Sequence, residues 1–309
     1  MPSFTRRVTC AVVVLLAVIL SMGQSQAATT PIVVASKIDS EGALLGNIIA
    51  ALLEARSLPI DRKIKFGPTA SVRAAILAGQ IDIYPEYTGN GALFFHSEDD
   101  PDWKDAARGY DKVRALDREQ NHLIWLAPAP ANNAWVIAVR QDIDGFKGHC
   151  LKDLADYVNA GGKIKLAASS EFVESPVALP AFERSYGFHL RTDQLLTFAG
   201  GNSAATLRAA AEGISGVNAA MAYGTDGELA SFRLTALCDD KGPQVVYAPA
   251  PLVRASVLKQ HPEIESALDP IFGTLTLETL QKLNSDITIS GQEPAAVAES
   301  YLKSKKFLQ

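Results

Sequence analysis

Aromatic residues are scarce in this sequence, and several stand where strands are predicted to end or turns to begin. Phe, Trp and Tyr together make up 7% of the chain, so their positions are informative. The rings at such places are Tyr84, Tyr87, Trp135, Tyr223 and Tyr247. An aromatic face combines a negative quadrupole with apolar surface and can therefore hold a cation. Taken singly, each ring is better explained as a core or rim residue, and only the set favours a binding site.

The elements that would position these rings alternate between strands and helices. A β-branched run predicts a strand at 32–35, and apolar residues then repeat at helical spacing over 44–53. A strand at 63–66, a helix at 72–78 and a strand at 81–84, ended by Pro85, complete a β-α-β-α-β order. That order is typical of a mostly parallel sheet covered by helices.

A second α/β run follows the first and predicts a second lobe. It extends from a strand at 163–167 to a strand at 217–222, and a strand at 244–248 leads back. Gly and Pro cluster near 128–130 and 249–251, between the runs. We predict that residues 28–138 and 249–309 form one lobe and that residues 139–248 form the other, inserted lobe. A ligand would lie between them, because domain junctions are preferred places for small-molecule sites.

The N-terminus predicts export. Arg6 and Arg7 precede an apolar run at 8–22, and small residues stand at 25 and 27, so cleavage is expected after Ala27. We therefore predict a signal peptide at 1–27 and a periplasmic protein. The alternative is a retained anchor, but the run is shorter than the roughly 20 residues that a spanning helix needs.

Charge and motifs exclude several classes of function. Cleavage would leave 27 basic and 34 acidic residues, a net charge of −7 without a basic run, which does not suit nucleic acid. Neither a G-x-S-x-G elbow nor a P-loop is present, and Phe94 replaces the third glycine of a dinucleotide motif. The five histidines lack paired ligand spacing, and Asp82 and Glu86 suit surface or turn-stabilising roles. We predict no enzyme, no cofactor and no metal.

Two cysteines, Cys150 and Cys238, would remain after cleavage. An even pair in an oxidising compartment is a candidate disulfide. Two buried free thiols are the alternative, and the distance between the residues decides between them.

Four segments resemble a known family. The stretch 81–90, Ile-Asp-Ile-Tyr-Pro-Glu-Tyr-Thr-Gly-Asn, closely resembles a motif of the ABC-importer binding proteins for glycine betaine, carnitine and choline. Ser36-Lys37, the Tyr-Gly-Thr-Asp-Gly stretch at 223–227 and the Tyr-Ala-Pro-Ala-Pro stretch at 247–251 do so as well. The resemblance runs from about residue 32 to the C-terminus and is closest to a branch that includes proteins of low betaine affinity. It implies a two-lobed α/β fold of the periplasmic-binding-protein kind (type II-like).

The resemblance also implies a ligand site. An aromatic cage for a trimethylammonium group would consist of Tyr87, Trp135, Tyr223 and Tyr247. A trimethylammonium group has no N–H to donate, so aromatic faces are suitable partners for it. The further ligand contacts that the resemblance implies are Lys37, which would meet the ligand's carboxylate, and Asn90, Asn133 and Ser175.

Ser175 departs from the family pattern, in which an arginine at this position often clamps the carboxylate. A hydrogen bond to a charged group contributes about 1.5–3 kcal/mol, so we expect weak betaine binding or a ligand without a carboxylate, such as choline. The implied partners are a small quaternary amine and the permease subunits of an ABC importer, and we expect a monomer. The alternatives are an amino acid or sulfonate as ligand, or a sensory binding protein without transport.

Overall fold

The computed structural model describes residues 30–199 and 203–308, which form two five-stranded sheets with helices packed around them. The strands are β1 (Ile32–Lys37), β2 (Ile60–Gly67), β3 (Ile83–Tyr87), β4 (Leu123–Trp125), β5 (Trp135–Arg140), β6 (Leu166–Ser169), β7 (Leu195–Phe198), β8 (Ala219–Tyr223), β9 (Leu234–Ala236) and β10 (Pro249–Arg254). The helices are α1 (Ser40–Glu54), α2 (Thr69–Leu77), α3 (Asn90–Phe94), α4 (Ala106–Asn121), α5 (Leu151–Asn159), α6 (Ser170–Glu174), α7 (Leu179–Tyr186), α8 (Ser203–Glu212), α9 (Glu228–Ser231), α10 (Ala255–Gln260), α11 (Glu263–Phe272), α12 (Leu277–Thr288) and α13 (Pro294–Ser304).

Each sheet mixes parallel and antiparallel pairs. The first has the order β2-β1-β3-β10-β4, and β10 runs antiparallel to both of its neighbours. The second has the order β7-β6-β8-β5-β9, and there β5 is the strand antiparallel to both neighbours. The chain therefore passes from the first sheet to the second between β4 and β5, and returns between β9 and β10. The predicted α/β class is confirmed, whereas the lobe boundaries at 139 and 248 stay a prediction.

Alternating side chains give each sheet two buried faces. In the first sheet Ile83 and Val253 pack with α1 and the C-terminal helices, while Tyr84 and Leu252 pack on the opposite side. In the second sheet the two faces are built by separate apolar clusters in the same way. Since both faces are covered, each sheet is a rigid support for the residues at its strand ends.

Helix α1 starts directly after the first strand and places polar residues at the strand end. The Asp39 side chain caps it by accepting from the Gly42 backbone N at 2.6 Å. Its leucines and isoleucines are fully buried, as the helical spacing predicts. Because the N-terminal turn of α1 lies at the edge of the sheet, Glu41 in that turn is directed toward the space beside β3, where it meets Tyr87.

Two strand predictions need correction. Strand β3 continues through Pro85 to Tyr87, and Pro85 faces Pro251 of β10. Alternate residues carry the ladder hydrogen bonds of an antiparallel pair, so two facing prolines can be accommodated without losing one. Residues 244–248 do not form a strand in the described structure. Their backbone groups bond to other partners, as Val246 N does to Trp103 O at 2.9 Å and Tyr247 N to Asn132 Oδ1 at 2.9 Å.

The two cysteines lie together. The Sγ atoms of Cys150 and Cys238 are 2.00 Å apart, and the bond joins the start of α5 to the segment after β9. The predicted signal peptide at 1–27 lies outside the described residues. Within the described ranges no helix has both the length and the apolar character of a membrane span.

Candidate ligand-binding cleft

One cavity of about 980 Å³ collects every residue for which the sequence predicts ligand contact. The eight are Lys37, Tyr87, Asn90, Asn133, Trp135, Ser175, Tyr223 and Tyr247. They come from both sheets: Tyr87 ends β3 of the first, whereas Trp135 begins β5 and Tyr223 ends β8 of the second. The cavity therefore lies where strand ends of the two sheets meet. It is large enough for a small organic ligand.

Two of the aromatic walls are a cross-strand pair. Trp135 and Tyr223 are direct partners in the antiparallel register of β5 and β8. Their ring centroids are 6.4 Å apart with an interplanar angle of 26°, and Phe172 packs edge-on against Trp135 at 6.0 Å. Facing residues of an antiparallel pair hold their side chains close together. The second sheet thus fixes both rings before any ligand enters.

The other two rings, Tyr87 and Tyr247, are positioned by a close approach between the turn at 87–90 and the segment at 245–248. Thr88 N donates to Ala248 O at 3.0 Å. A Cβ at Gly89 would lie 2.8 Å from Val246 O and 2.9 Å from a ring carbon of Tyr247. Only glycine allows this approach, and it brings Tyr247 beside the turn that follows Tyr87.

The tyrosine phenols of the cavity stay neutral. Burial raises the pKa of Tyr247 to about 12 and also raises the pKa of Tyr223. Burial, reinforced by the nearby Glu41 carboxylate, raises the pKa of Tyr87 well above its usual value. Rings with un-ionised hydroxyls present the quadrupole that attracts a cation.

Lys37 and Asn90 both contact the same buried carboxylate. Glu86 is fully buried, and its Oε1 lies 2.5 Å from Lys37 Nζ and accepts from Asn90 Nδ2 at 2.7 Å. Its Oε2 accepts from the Tyr84 hydroxyl at 2.9 Å. From the sequence we predicted a surface or turn-stabilising role for Glu86. In the structure it is instead a buried carboxylate that binds Lys37, Asn90 and Tyr84. The Lys37 ammonium also lies 4.6 Å from the centroid of the Tyr87 ring.

Glu41 is a second buried carboxylate in the cavity wall. Its Oε1 accepts from the Tyr87 hydroxyl at 2.6 Å and from Asn133 Nδ2 at 3.3 Å, and its Oε2 accepts from Asn284 Nδ2 at 2.6 Å. Burial raises the pKa of Glu41, and hydrogen bonds from Thr225, Tyr87 and Asn284 oppose that rise. No Lys, Arg or His of the described chain forms an ion pair with it.

The cavity is strongly acidic. Its carboxylate side chains are Asp39, Glu41, Glu98, Glu171, Asp226 and Glu228. Among the described lining residues Lys37 alone is basic, and it is paired with Glu86. Burial raises the pKa of Asp226 to about 7, against the lowering effect of hydrogen bonds from the Tyr223 backbone and Ser203. In the part of the chain described, no cluster of His, Cys, Asp or Glu is arranged to hold a metal ion.

The segment after β8 is fastened to α12. Gln281 Nε2 donates to Gly224 O at 2.8 Å, and Asn284 Nδ2 donates to Thr225 O at 2.9 Å. A Cβ on Gly227 would lie 2.1 Å from Ser285 N. The loop that follows Tyr223 is therefore held against a helix that packs on the first sheet's core.

Comparison with known proteins identifies the family. A family described as the substrate binding domain of ABC-type glycine betaine transport systems matches residues 30–304. The chain belongs to this family. It is a family of transport proteins rather than enzymes, as predicted.

Relatives and solved structures agree with that assignment. The glycine betaine-binding protein YehZ of Escherichia coli (strain K12) is 55% identical over 279 residues, covering 90% of this chain and 92% of the relative. A glycine-betaine-binding protein of Pseudomonas aeruginosa is 30% identical, covering 94% and 92%. The structure of apo YehZ from Escherichia coli, 54% identical, covers 91% of this chain and 100% of its own, with a TM-score of 0.80. The predicted periplasmic-binding-protein fold and solute-binding class are thus confirmed.

Three polar residues that line the cavity were not predicted from the sequence. Glu41, Asn284 and Asp226 all line the cavity, yet none was a candidate. Asp226 lies inside the Tyr-Gly-Thr-Asp-Gly segment that resembles the family, so that segment could have identified it as a candidate. Glu41 carries no local signal beyond its place in the first turn of α1.

Proposed function

We propose that this chain binds a small quaternary-ammonium osmoprotectant, glycine betaine or choline, in the cleft and delivers it to an ABC importer. The observation that carries the proposal is the convergence of Tyr87, Trp135, Tyr223 and Tyr247 on one acidic cavity. Aromatic faces and carboxylates both attract a permanent cation, and a trimethylammonium group needs no hydrogen-bond acceptor. The relatives named as glycine betaine-binding proteins support the same ligand class.

The energy available from the rings suits a moderate affinity. Each desolvated cation–π contact contributes about 0.5–2 kcal/mol, so four rings contribute roughly 2–8 kcal/mol. A micromolar site needs about 8 kcal/mol. The cage is thus the main attractive part of the site, and the rest must come from the other end of the ligand.

Among the described lining residues, no unpaired basic side chain is present to meet that other end. Ser175, at the position where the family resemblance implies a carboxylate-clamping arginine, lines the cavity, and Lys37 lies 2.5 Å from Glu86. A ligand carboxylate would have to share Lys37 with a fully buried glutamate. We therefore expect weak glycine betaine binding.

Isothermal titration calorimetry with glycine betaine, choline, carnitine and proline tests the proposal. Binding of at least one trimethylammonium compound, with no heat for proline, is the expected result. If none of the trimethylammonium compounds binds while an amino acid or a sulfonate does, the rings are packing residues and the ligand class is wrong.

We further propose a periplasmic monomer that docks on permease subunits when ligand closes the cleft by hinge motion. The supporting observations are the family's transport role and a cavity with walls from both sheets. The lobes would be 28–138 with 249–309, and 139–248. Ligand-stimulated ATP hydrolysis by a reconstituted importer is the expected readout, and its absence would favour a sensory role.

A further inference from the structure

Two carboxylates that line the cleft, Glu41 and Glu228, are buried without a cationic partner. Each is 6% exposed, and both line the cavity. Among the residues that the structure describes, neither forms an ion pair with a Lys, Arg or His. Because a buried charge without an opposite charge is costly, these two side chains favour a positive charge inside the cavity.

The protein's own cation in the cavity wall does not meet that need. The ammonium of Lys37 lies 2.5 Å from Glu86 Oε1, and Glu86 is fully buried. The two charges of this ion pair cancel, so the pair leaves the negative charge of Glu41 and Glu228 uncompensated. What enters the cavity has to supply the compensation.

The contacts of Glu41 suit its ionised form. Its oxygens accept from the Tyr87 hydroxyl at 2.6 Å, from Asn133 Nδ2 at 3.3 Å and from Asn284 Nδ2 at 2.6 Å. The Asn284 amide has a fixed orientation, because its Nδ2 also donates to Thr225 O at 2.9 Å. Burial raises the pKa of Glu41, whereas donated hydrogen bonds and a nearby cation both favour the charged form. A cationic ligand and the charge on Glu41 therefore stabilise each other.

The hydrogen bond to Tyr87 connects the charge of Glu41 to the aromatic cage. Tyr87 is one of the four rings that converge on the cavity, and its hydroxyl donates to Glu41. A hydrogen bond to a carboxylate polarises the phenol toward its ring, and a ring with more electron density attracts a cation more strongly. Glu41 thus acts on a cation directly, by its charge, and also through Tyr87.

Glu228 brings a second charge to the cavity from the side of the second sheet. It is the first residue of α9, which follows the loop after Tyr223. The charges of Glu228 and Glu41 both raise the pKa of Asp226, which lines the same cavity. The carboxylates are therefore close enough to repel one another. A cation in the cavity relieves this repulsion, whereas a neutral molecule of the same shape does not.

Resting on the proposed function, we infer that Glu41 and Glu228 are specificity-determining residues that make the cleft select the positive charge of its ligand. The rings supply apolar surface, which an uncharged tert-butyl group fills as well as a trimethylammonium group does. The two carboxylates add an attraction that only a cation experiences. The cleft therefore rejects neutral molecules that have the size and shape of a quaternary amine.

Calorimetric titration of wild type, Glu41→Gln and Glu228→Gln tests the inference. The compounds are choline, tetramethylammonium and the neutral carbon analogue of choline, in which a tert-butyl group replaces the trimethylammonium group. Each substitution removes one charge and keeps the shape of the side chain. The Kd of both quaternary amines should rise about tenfold in each variant, while the Kd of the neutral analogue should stay within twofold of wild type.

The control is Glu98→Gln, which removes a carboxylate that also lines the cavity but is exposed to water. Water screens an exposed charge, so the Kd of choline should change by at most twofold. An effect of Glu98→Gln as large as that of the two buried substitutions overturns the inference.

Other outcomes also overturn the inference while the proposed function stands. One is an unchanged choline Kd in both buried variants, and another is equal weakening of choline and its neutral analogue. A loss confined to choline, with tetramethylammonium unaffected, does so too, because the carboxylates would then act on the ligand's other end. Failure of both quaternary amines to bind wild type overturns the proposed function and the inference together.

Urea unfolding of Glu228→Gln keeps the test decisive if Glu41→Gln does not fold. An unpaired buried charge is costly, so this variant should be at least as stable as wild type without ligand. Saturating choline should then stabilise it less than wild type, since ligand stabilises the folded state according to its affinity. A loss of stability without ligand, with an undiminished gain from choline, would show that Glu228 is structural and would overturn the inference.

Discussion

The substitution Trp135→Ala should weaken the binding of every trimethylammonium ligand by about 30-fold. The direct loss is one cation–π contact, about 0.5–2 kcal/mol when desolvated, which is about 2- to 30-fold in Kd. The upper end applies because Trp135 also positions a second wall. Its ring stacks on Tyr223 at 6.4 Å and 26°, so its removal leaves Tyr223 free to turn away from the cavity.

Calorimetry is the assay, with Tyr157→Ala as the matched control. Tyr157 is also half-buried and also packs against another ring, that of Phe146 at 5.4 Å, but it lies outside the cleft. The control should bind ligand as wild type does. A Trp135→Ala protein that remains folded and binds within twofold of wild type would refute the cage.

Further perturbations test the surroundings of the cleft. Gly227→Ala would place a Cβ 2.1 Å from a backbone atom of α12 and should lower the free energy of unfolding in urea by about 1–3 kcal/mol. The control Gly273→Ala, whose Cβ comes no closer than 3.5 Å to another atom, should not lower it. Equal losses in the two variants would contradict the packing of the loop against α12. Replacing both Cys150 and Cys238 by Ser should lower the free energy of unfolding by about 2–4 kcal/mol. The Kd should change little, because the disulfide lies outside the cleft. Unchanged stability would contradict the first expectation. The pKa of Asp226 rises from 3.8 to about 7 on folding, so its stabilising contribution is complete below about pH 4 and is lost as the pH rises through 7. Relative to Asp226→Asn, wild type should therefore lose unfolding free energy between pH 4 and 7. Its affinity for a quaternary amine should rise over the same range as the carboxylate ionises. Profiles of stability and affinity against pH that run parallel in wild type and Asp226→Asn would contradict both statements.

The sequence was sufficient to predict the parts of the site that are local. Tyr87 ends a strand and lies two residues before Gly89, which allows close packing, and Tyr223 ends a strand of small residues. Such positions at strand ends can be read from the order of residues along the chain. The pairing of Trp135 with Tyr223 needs the register of β5 and β8, which only the folded sheet supplies.

The carboxylates behind the rings could not be predicted, because their roles depend on distant partners. Glu41 meets Asn284, which is 243 residues further along the chain. A glutamate in the first turn of a helix is ordinarily a solvent-exposed residue that favours the helix dipole. Only the packing of α12 beside α1 turns it into a buried group. Pro85 was misread for a related reason, since its tolerance in a strand depends on the register with β10, in which it faces Pro251.

Binding of a quaternary amine in the cleft is tested most directly by titrating the protein with choline and glycine betaine. Calorimetry measures binding, and tryptophan fluorescence reports its place. Of the three tryptophans, Trp103 and Trp125 are almost fully buried in the first sheet's core, and Trp135 lines the cavity. We expect heat of binding together with a fluorescence change that disappears in Trp135→Phe. Binding that leaves fluorescence unchanged, or no binding of either compound, would contradict it.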